Sequence, residues 1–196
     1  RDEGQRVLFL MDSVTRYAHA LREVGLASHE PPATRGYPPS VFAAIPALLE
    51  RLGNDEGQGS ITALVTVLVE GDDLDEPISD TVRGVLDGHL VLSRQLAEQA
   101  IWPALDPLVS LSRLAAQIVE PEHRLAAQRF RTLMARYRAA EELIRLGAYT
   151  PGSDAEVDYM VERRDQTQAL LCQMADETTN YHETIDSLLA LVEEAP

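Results

Sequence analysis

Asp12 closes the unbroken apolar run Val7 to Met11, and a carboxylate delivered on the end of a hydrophobic strand can do one of two jobs. It can cap the helix that follows, as can its neighbour Ser13. Or it can stand at the carboxyl edge of a sheet and orient Mg²⁺ through water beside a phosphate. On this motif alone capping is the simpler reading, because α/β proteins cap helices in this way constantly. Arg16, one turn into that helix, is either solvated or within reach of an anion at the same edge. Farther along, "IWPALDPLVSLSR" (residues 101–113) carries the only tryptophan, Trp102, stiffened by Pro103 and Pro107. Such a ring either fills a core or stacks on a planar base. Arg113 ends the stretch and either makes an interdomain ion pair or enters a neighbouring subunit's phosphate site, as arginine fingers do.

Other clusters carry less chemistry. "EGDDLDE" (70–76) holds five carboxylates without the spacing of a calcium-binding EF-hand loop. It reads as a solvated acidic loop, set against an arginine of a neighbouring subunit. The five histidines lack metal-ligand spacing, and the single cysteine, Cys172, excludes an internal disulfide or a cysteine-based zinc site. Arg124, Arg129, Arg131, Arg136, Arg138 and Arg145 crowd one helical stretch. They form either a face laced with ion pairs, such as Glu141 with Arg145, or a docking face for an acidic partner.

These residues need elements to hold them. The chain of 196 residues is 45% hydrophobic, enough for one domain or two small ones. Its net charge of -15 argues against general nucleic-acid binding. All 17 basic residues are arginine. No apolar run is long enough to span a membrane. Residues 6–11 and 60–70 read as buried strands of the parallel-sheet kind, and 88–93 as a third strand. Helices are expected at 14–25, ending before Gly25, at about 40–52, at 77–85 and at 93–99, with 28–40 a proline-rich loop and 101–113 irregular. From Pro121 the spacing is helical as far as a stop at Gly147. "SDAE" (153–156) reads as a capping box opening a helix to about 163, a further helix is expected near 165–175, and "NYHE" (180–183) opens a last one. The expected fold is α/β followed by all-α, with a first domain over 1–117 and a helical domain over 118–196.

Four longer stretches carry a family resemblance: "LFLMDSVTRYAHALREVGLA", "EPPATRGYPPSVFAAIPALLER", "GSITALVTVLVEGDDLDEPISD" and "LDGHLVLSRQLAE". They resemble the flagellar and type III secretion export ATPases, relatives of the catalytic subunits of rotary ATP synthases. "ELIRLGAYTPGSDAEVD" resembles the C-terminal helical domain of that family, with a lean toward the flagellar branch, and the likeness weakens after about residue 165. The resemblance implies a partial RecA-like P-loop NTPase core with a mostly parallel sheet, and a homo-hexamer with ATP and Mg²⁺ bound between subunits. It implies Asp12 as the aspartate acting on Mg²⁺ and its water shell, followed by Ser13, and Arg16 as a phosphate contact. Trp102 then lies against adenine, where the family usually has tyrosine, and Arg113 is the finger reaching the neighbour's nucleotide. The implied partners are export chaperone–cargo complexes, a coiled-coil stalk and regulatory subunits. The implied location is the cytoplasm, at the export gate on the cytoplasmic face of the bacterial inner membrane.

A P-loop requires G-x-x-x-x-G-K-[ST], and this chain has no lysine. The family's water-polarising glutamate also lies upstream of the strand that ends on Asp12. The chain opens on Arg1 just before that strand, so the expectation is the back half of an ATPase core, inactive alone, with its true N-terminus missing. A rotary ATP synthase or proton-pump subunit is the alternative, although "RGYPPSVFAAIP" favours the export branch. A nucleotide-free adaptor that binds export partners is the third reading.

Overall fold

The computed structural model describes residues 1–54 and 56–196, which divide into two compact units, Arg1–Asp87 and Gly88–Pro196.

The first unit runs β1 (Arg6–Met11), α1 (Val14–Ala27), α2 (Pro39–Leu49), β2 (Gly53–Asn54), β3 (Ser60–Val65) and α3 (Pro77–Val85). β1 lies parallel to β3 in register from Arg6 opposite Ser60 to Met11 opposite Val65. The short β2 pairs antiparallel with the other side of β3. Local chemistry sets the helix starts. Pro39 and Pro77 occupy first-turn positions of α2 and α3, where a missing N–H costs nothing. Glu76 caps α3 by accepting from the backbone N–H groups of Ile78 and Ser79. Val14, Ala18, Val41, Ile45, Ile78 and Val82 bring the three helices together in one core, against which Met11 and Val65 pack from the sheet. Each fully buried aliphatic side chain of this kind contributes roughly 1.5–3 kcal/mol.

Three expectations change here. β1 and β3 are covered on one face only, because alternate residues turn the other way. Leu8 and Leu10 are 62% and 66% exposed, and Leu64, opposite Leu10, is exposed beside them. β3 stops at Val65 rather than near residue 70, because its partner β1 has by then turned into α1 and offers no further ladder. Gly25 also does not end α1. It is buried inside the helix, where an added Cβ would come within 3.0 Å of Pro38 Cγ, so it is small in order to let the chain pass closely.

The second unit runs β4 (Gly88–His89), α4 (Arg94–Glu98), β5 (Leu111–Ser112), α5 (Ala115–Ile118), α6 (Pro121–Arg145), α7 (Ala155–Glu162), α8 (Arg164–Leu171) and α9 (Tyr181–Val192). The expected third strand at 88–93 shrinks to the two residues of β4, which pair antiparallel with β5. Beyond His89 this segment bonds to the returning 104–110 stretch. Asp106 N–H donates to Val91 O, Ser93 N–H to Ala104 O and Val91 N–H to Ser110 Oγ. α6, α7 and α9 share a core of Phe130, Leu133, Tyr159, Met160 and Leu191. Gly147, at φ +68°, follows the end of α6, where only glycine adopts that backbone without strain. The two expected capping boxes part ways. Asn180 and Glu183 form one at α9, whereas at α7 Asp154, not Ser153, caps by accepting from Glu156 and Val157 N–H.

Candidate functional site

At the carboxyl end of β1 the two candidate caps separate. Ser13 has extended backbone angles and its Oγ accepts the Arg16 N–H at 3.2 Å, so Ser13 is the N-cap of α1. It is 3% exposed, and its hydroxyl is occupied by the helix. Asp12 is thereby released from capping. It is exposed, and one carboxylate oxygen, Oδ1, accepts from Thr66 Oγ1 at 2.7 Å. Thr66 is itself fixed by the sheet edge, since its N–H donates to Met11 O and its carbonyl accepts from Val14 N–H, both at 3.0 Å. One turn on, Thr15 Oγ1 accepts from Leu68 N–H at 2.9 Å, tying α1 to the chain leaving β3. The peptide joining Asp12 to Ser13 is cis. Nothing in the sequence singles out Thr66. Only the parallel register that ends at Met11 and Val65 brings Thr66 beside Asp12.

Among the described residues nothing engages Asp12 Oδ2, and the exposed Arg16 guanidinium has no ion-pair partner. Nor is there any cluster of three His, Cys, Asp or Glu able to cage a metal among them. This donor set fits Mg²⁺ held the way Mg²⁺ prefers, through one carboxylate, waters and substrate phosphates. It does not fit an all-protein calcium or zinc cage.

The second unit carries the other two predicted residues. Trp102 is 57% exposed, which excludes the core-tryptophan reading and leaves its ring accessible. Its carbonyl accepts from Gln173 N–H at 2.8 Å, anchoring the segment to the chain just after α8, and the peptide to Pro103 is cis. Arg113 directly follows β5 and is exposed. Between them, the irregular 106–112 stretch is held from α6. Arg138 makes a two-pronged ion pair with Asp106, Nη1 to Oδ2 at 2.9 Å and Nη2 to Oδ1 at 3.1 Å. Burial alone would raise the Asp106 carboxyl. The Arg138 guanidinium and the backbone N–H groups of Leu108 and Val109 outweigh it and hold the group below the usual carboxylate range. Arg131 donates to three backbone carbonyls, those of Pro107, Leu108 and Ser110.

The crowded arginines of α6 are therefore mostly internal. Arg124 reaches Ala116 O, and Arg129 and Arg136 both pair with Glu156 of α7. The expected Glu141–Arg145 pair is not formed; the ion pairs of this helix run instead from Arg129, Arg136 and Arg138 to carboxylates on other elements. The acidic loop also finds its arginine within the chain, Asp73 pairing with Arg35. No helix among the described residues is long and apolar enough to cross a membrane.

Comparison with known proteins points to a family. Residues 1–112 match the model of the ATP synthase alpha/beta family, nucleotide-binding domain, and residues 119–190 that of the T3SS EscN ATPase C-terminal domain. The flagellum-specific ATP synthase of Pseudomonas aeruginosa is 53% identical over 98% of this chain and 43% of its own length. The assembled ATPase EscN of the enteropathogenic E. coli type III secretion system superposes with a TM-score of 0.93 at 48% identity, over 98% of this chain and 46% of EscN. EscN in complex with its central stalk EscO gives 0.87 at 47% identity, over 97% and 45%. The chain thus spans less than half the length of each of these three relatives. By these matches the chain belongs to the ATP synthase alpha/beta family, in its flagellar and type III secretion branch.

Proposed function

We propose that this chain supplies the Mg²⁺-orienting edge, the adenine contact and the arginine finger of an ATPase that drives protein export through a flagellar or type III secretion apparatus. The observation that carries the reading is Asp12. It stands at the end of a parallel strand, oriented by Thr66 on one oxygen, with the other oxygen unengaged and the capping duty taken by Ser13. Mg²⁺, when bound, neutralises phosphate charge as a Lewis acid. Asp12 holds its water shell. Arg16 faces the phosphates from the first turn of α1, and Trp102 stacks on adenine. Arg113 completes the neighbour's site, where such a finger is worth about 10³–10⁵ in rate.

The uncovered face carrying Leu8, Leu10 and Leu64 supports an incomplete core, because parallel sheets are normally covered on both faces. The interval between the two matched stretches, 113–118, supports a domain boundary near residue 117. The match over 119–190 favours the export branch over a rotary synthase. The assembled and stalk-bound forms of EscN support a homo-oligomer with a central stalk. The reading adds that the ring is a homo-hexamer, that the stalk is a coiled coil, and that it works at the cytoplasmic face of the inner membrane on chaperone-delivered cargo.

The test uses the full-length ATPase. Asp12→Ala and Arg113→Ala are each expected to lower kcat by at least about 10²-fold while leaving ring assembly intact. Asp12→Ala is further expected to shift the Mg²⁺ dependence to higher concentration. Assembled rings with unchanged activity remove the corresponding assignment.

A further inference from the structure

We infer that Arg131 and Arg138 of α6 are positioning residues for the reaction, holding the backbone that aims Arg113. The inference rests on the finger reading above and names the part of the helical unit that sets it. The two arginines are seven residues apart, so they project from one face of α6, two turns from each other.

Their targets are consecutive parts of one loop. Arg138 forks the Asp106 carboxylate, which is 8% exposed and also accepts Leu108 N–H at 2.9 Å. Arg131 gathers the carbonyls of Pro107, Leu108 and Ser110. Ser110 Oγ donates back to Asp106 O at 2.6 Å, closing the turn. The stretch from 106 to 110 has almost no ladder of its own, so those carbonyls depend on the guanidinium. Arg113 begins three residues beyond Ser110, after the two-residue β5.

Arginine suits this work and lysine does not. A guanidinium offers five N–H donors in a fixed plane, enough to serve three diverging carbonyls, whereas an ammonium is a compact donor on a flexible stem. Removing Arg131 leaves the loop backbone in place but free to wander. A finger misplaced by about 1 Å loses on the order of 10²-fold in rate without losing its charge. A shift of α6 is transmitted to Arg113 through the same five hydrogen bonds, which makes α6 the mechanical link between the helical unit and the chemistry.

The experiment compares Arg131→Ala, Arg131→Lys, Arg113→Ala and the double variant Arg113→Ala/Arg131→Ala in the full-length ATPase. Arg131→Ala is expected to lower kcat by at least about tenfold with the ATP KM within about twofold. Arg131→Lys is expected to fail to restore it, and hydrogen exchange of the 108–113 amides to quicken. The double variant is expected to be no slower than Arg113→Ala alone, because a misaimed finger and an absent one lose the same interaction. If Arg131→Ala does not assemble, Arg131→Lys is read by the same measurements. Rate losses that multiply in the double variant, or an unchanged kcat in Arg131→Ala, overturn the positioning role. A silent Arg113→Ala overturns the finger reading itself, a different outcome.

Discussion

Asp12 and Ser13 are both good helix-capping residues, and only backbone angles decide which one caps. The extended conformation falls on Ser13, and its Oγ takes the Arg16 N–H. That division of labour is testable because the two residues now predict opposite phenotypes. Ser13→Ala in the full-length ATPase is expected to cost about 1 kcal/mol of stability, the usual worth of an N-cap, with catalysis close to wild type. Asp12→Ala removes an exposed carboxylate and is expected to cost activity with little stability. Thermal unfolding and steady-state ATPase rates on both variants check this. A Ser13→Ala protein of normal stability and collapsed activity would make Ser13 a ligand contact instead. The sequence could nominate Asp12, Ser13, Arg16, Trp102 and Arg113 but could not divide their duties. Thr66 was invisible to it for a related reason: it lies 54 residues from Asp12, and only strand register brings them together.

Elements were legible in proportion to how local their causes are. α6 follows from apolar spacing, a first-turn proline and a terminating glycine, and α9 from apolar spacing and an Asn–Glu capping box, all within a few residues of the helix ends. The strands were overestimated. A Val/Thr/Leu run announces an extended chain, but a ladder needs a partner, and β3 loses its partner where β1 ends. Residues 88–93 were misassigned in the same way: they are extended, yet their partner is the irregular 104–112 stretch rather than the sheet. Gly88 marks how closely these segments approach. A Cβ there would lie 2.5 Å from Leu111 O and 3.1 Å from Ser112 Cα, both backbone atoms of β5. Backbone on both sides cannot swing aside as a side chain would. Gly88→Ala is therefore expected to push β4 from β5, cost about 1–3 kcal/mol as overpacking does, and displace Arg113. A melting temperature and kcat equal to wild type would show that the two strands can part freely. Gly25 offers the milder contrast, since its nearest neighbour is the Pro38 side chain rather than backbone.

Taken whole, the chain builds two cores, one under the β1–β3 sheet and one among α6, α7 and α9. Catalysis needs more than these cores supply. Phosphoryl transfer is positioning plus charge neutralisation, and the groups here supply only a share of each. Among 17 basic residues there is no lysine, so no ammonium can cradle the β- and γ-phosphates, and no P-loop motif places backbone N–H groups around them. The net charge of -15 works against an anionic substrate at long range. Arg113 on its own chain has no neighbour's nucleotide to complete. Each 1.4 kcal/mol of lost transition-state stabilisation costs about tenfold in rate, and losing a phosphate lysine together with the water-polarising glutamate removes several such steps. The folded 196-residue chain, with circular dichroism showing its helices intact, is therefore expected to release no phosphate from Mg²⁺-ATP above the buffer rate. The full-length ATPase under the same conditions is expected to turn over. Phosphate release by the isolated chain that disappears in Asp12→Ala would show that this half carries a complete site, and the division of labour proposed for the two halves would fall.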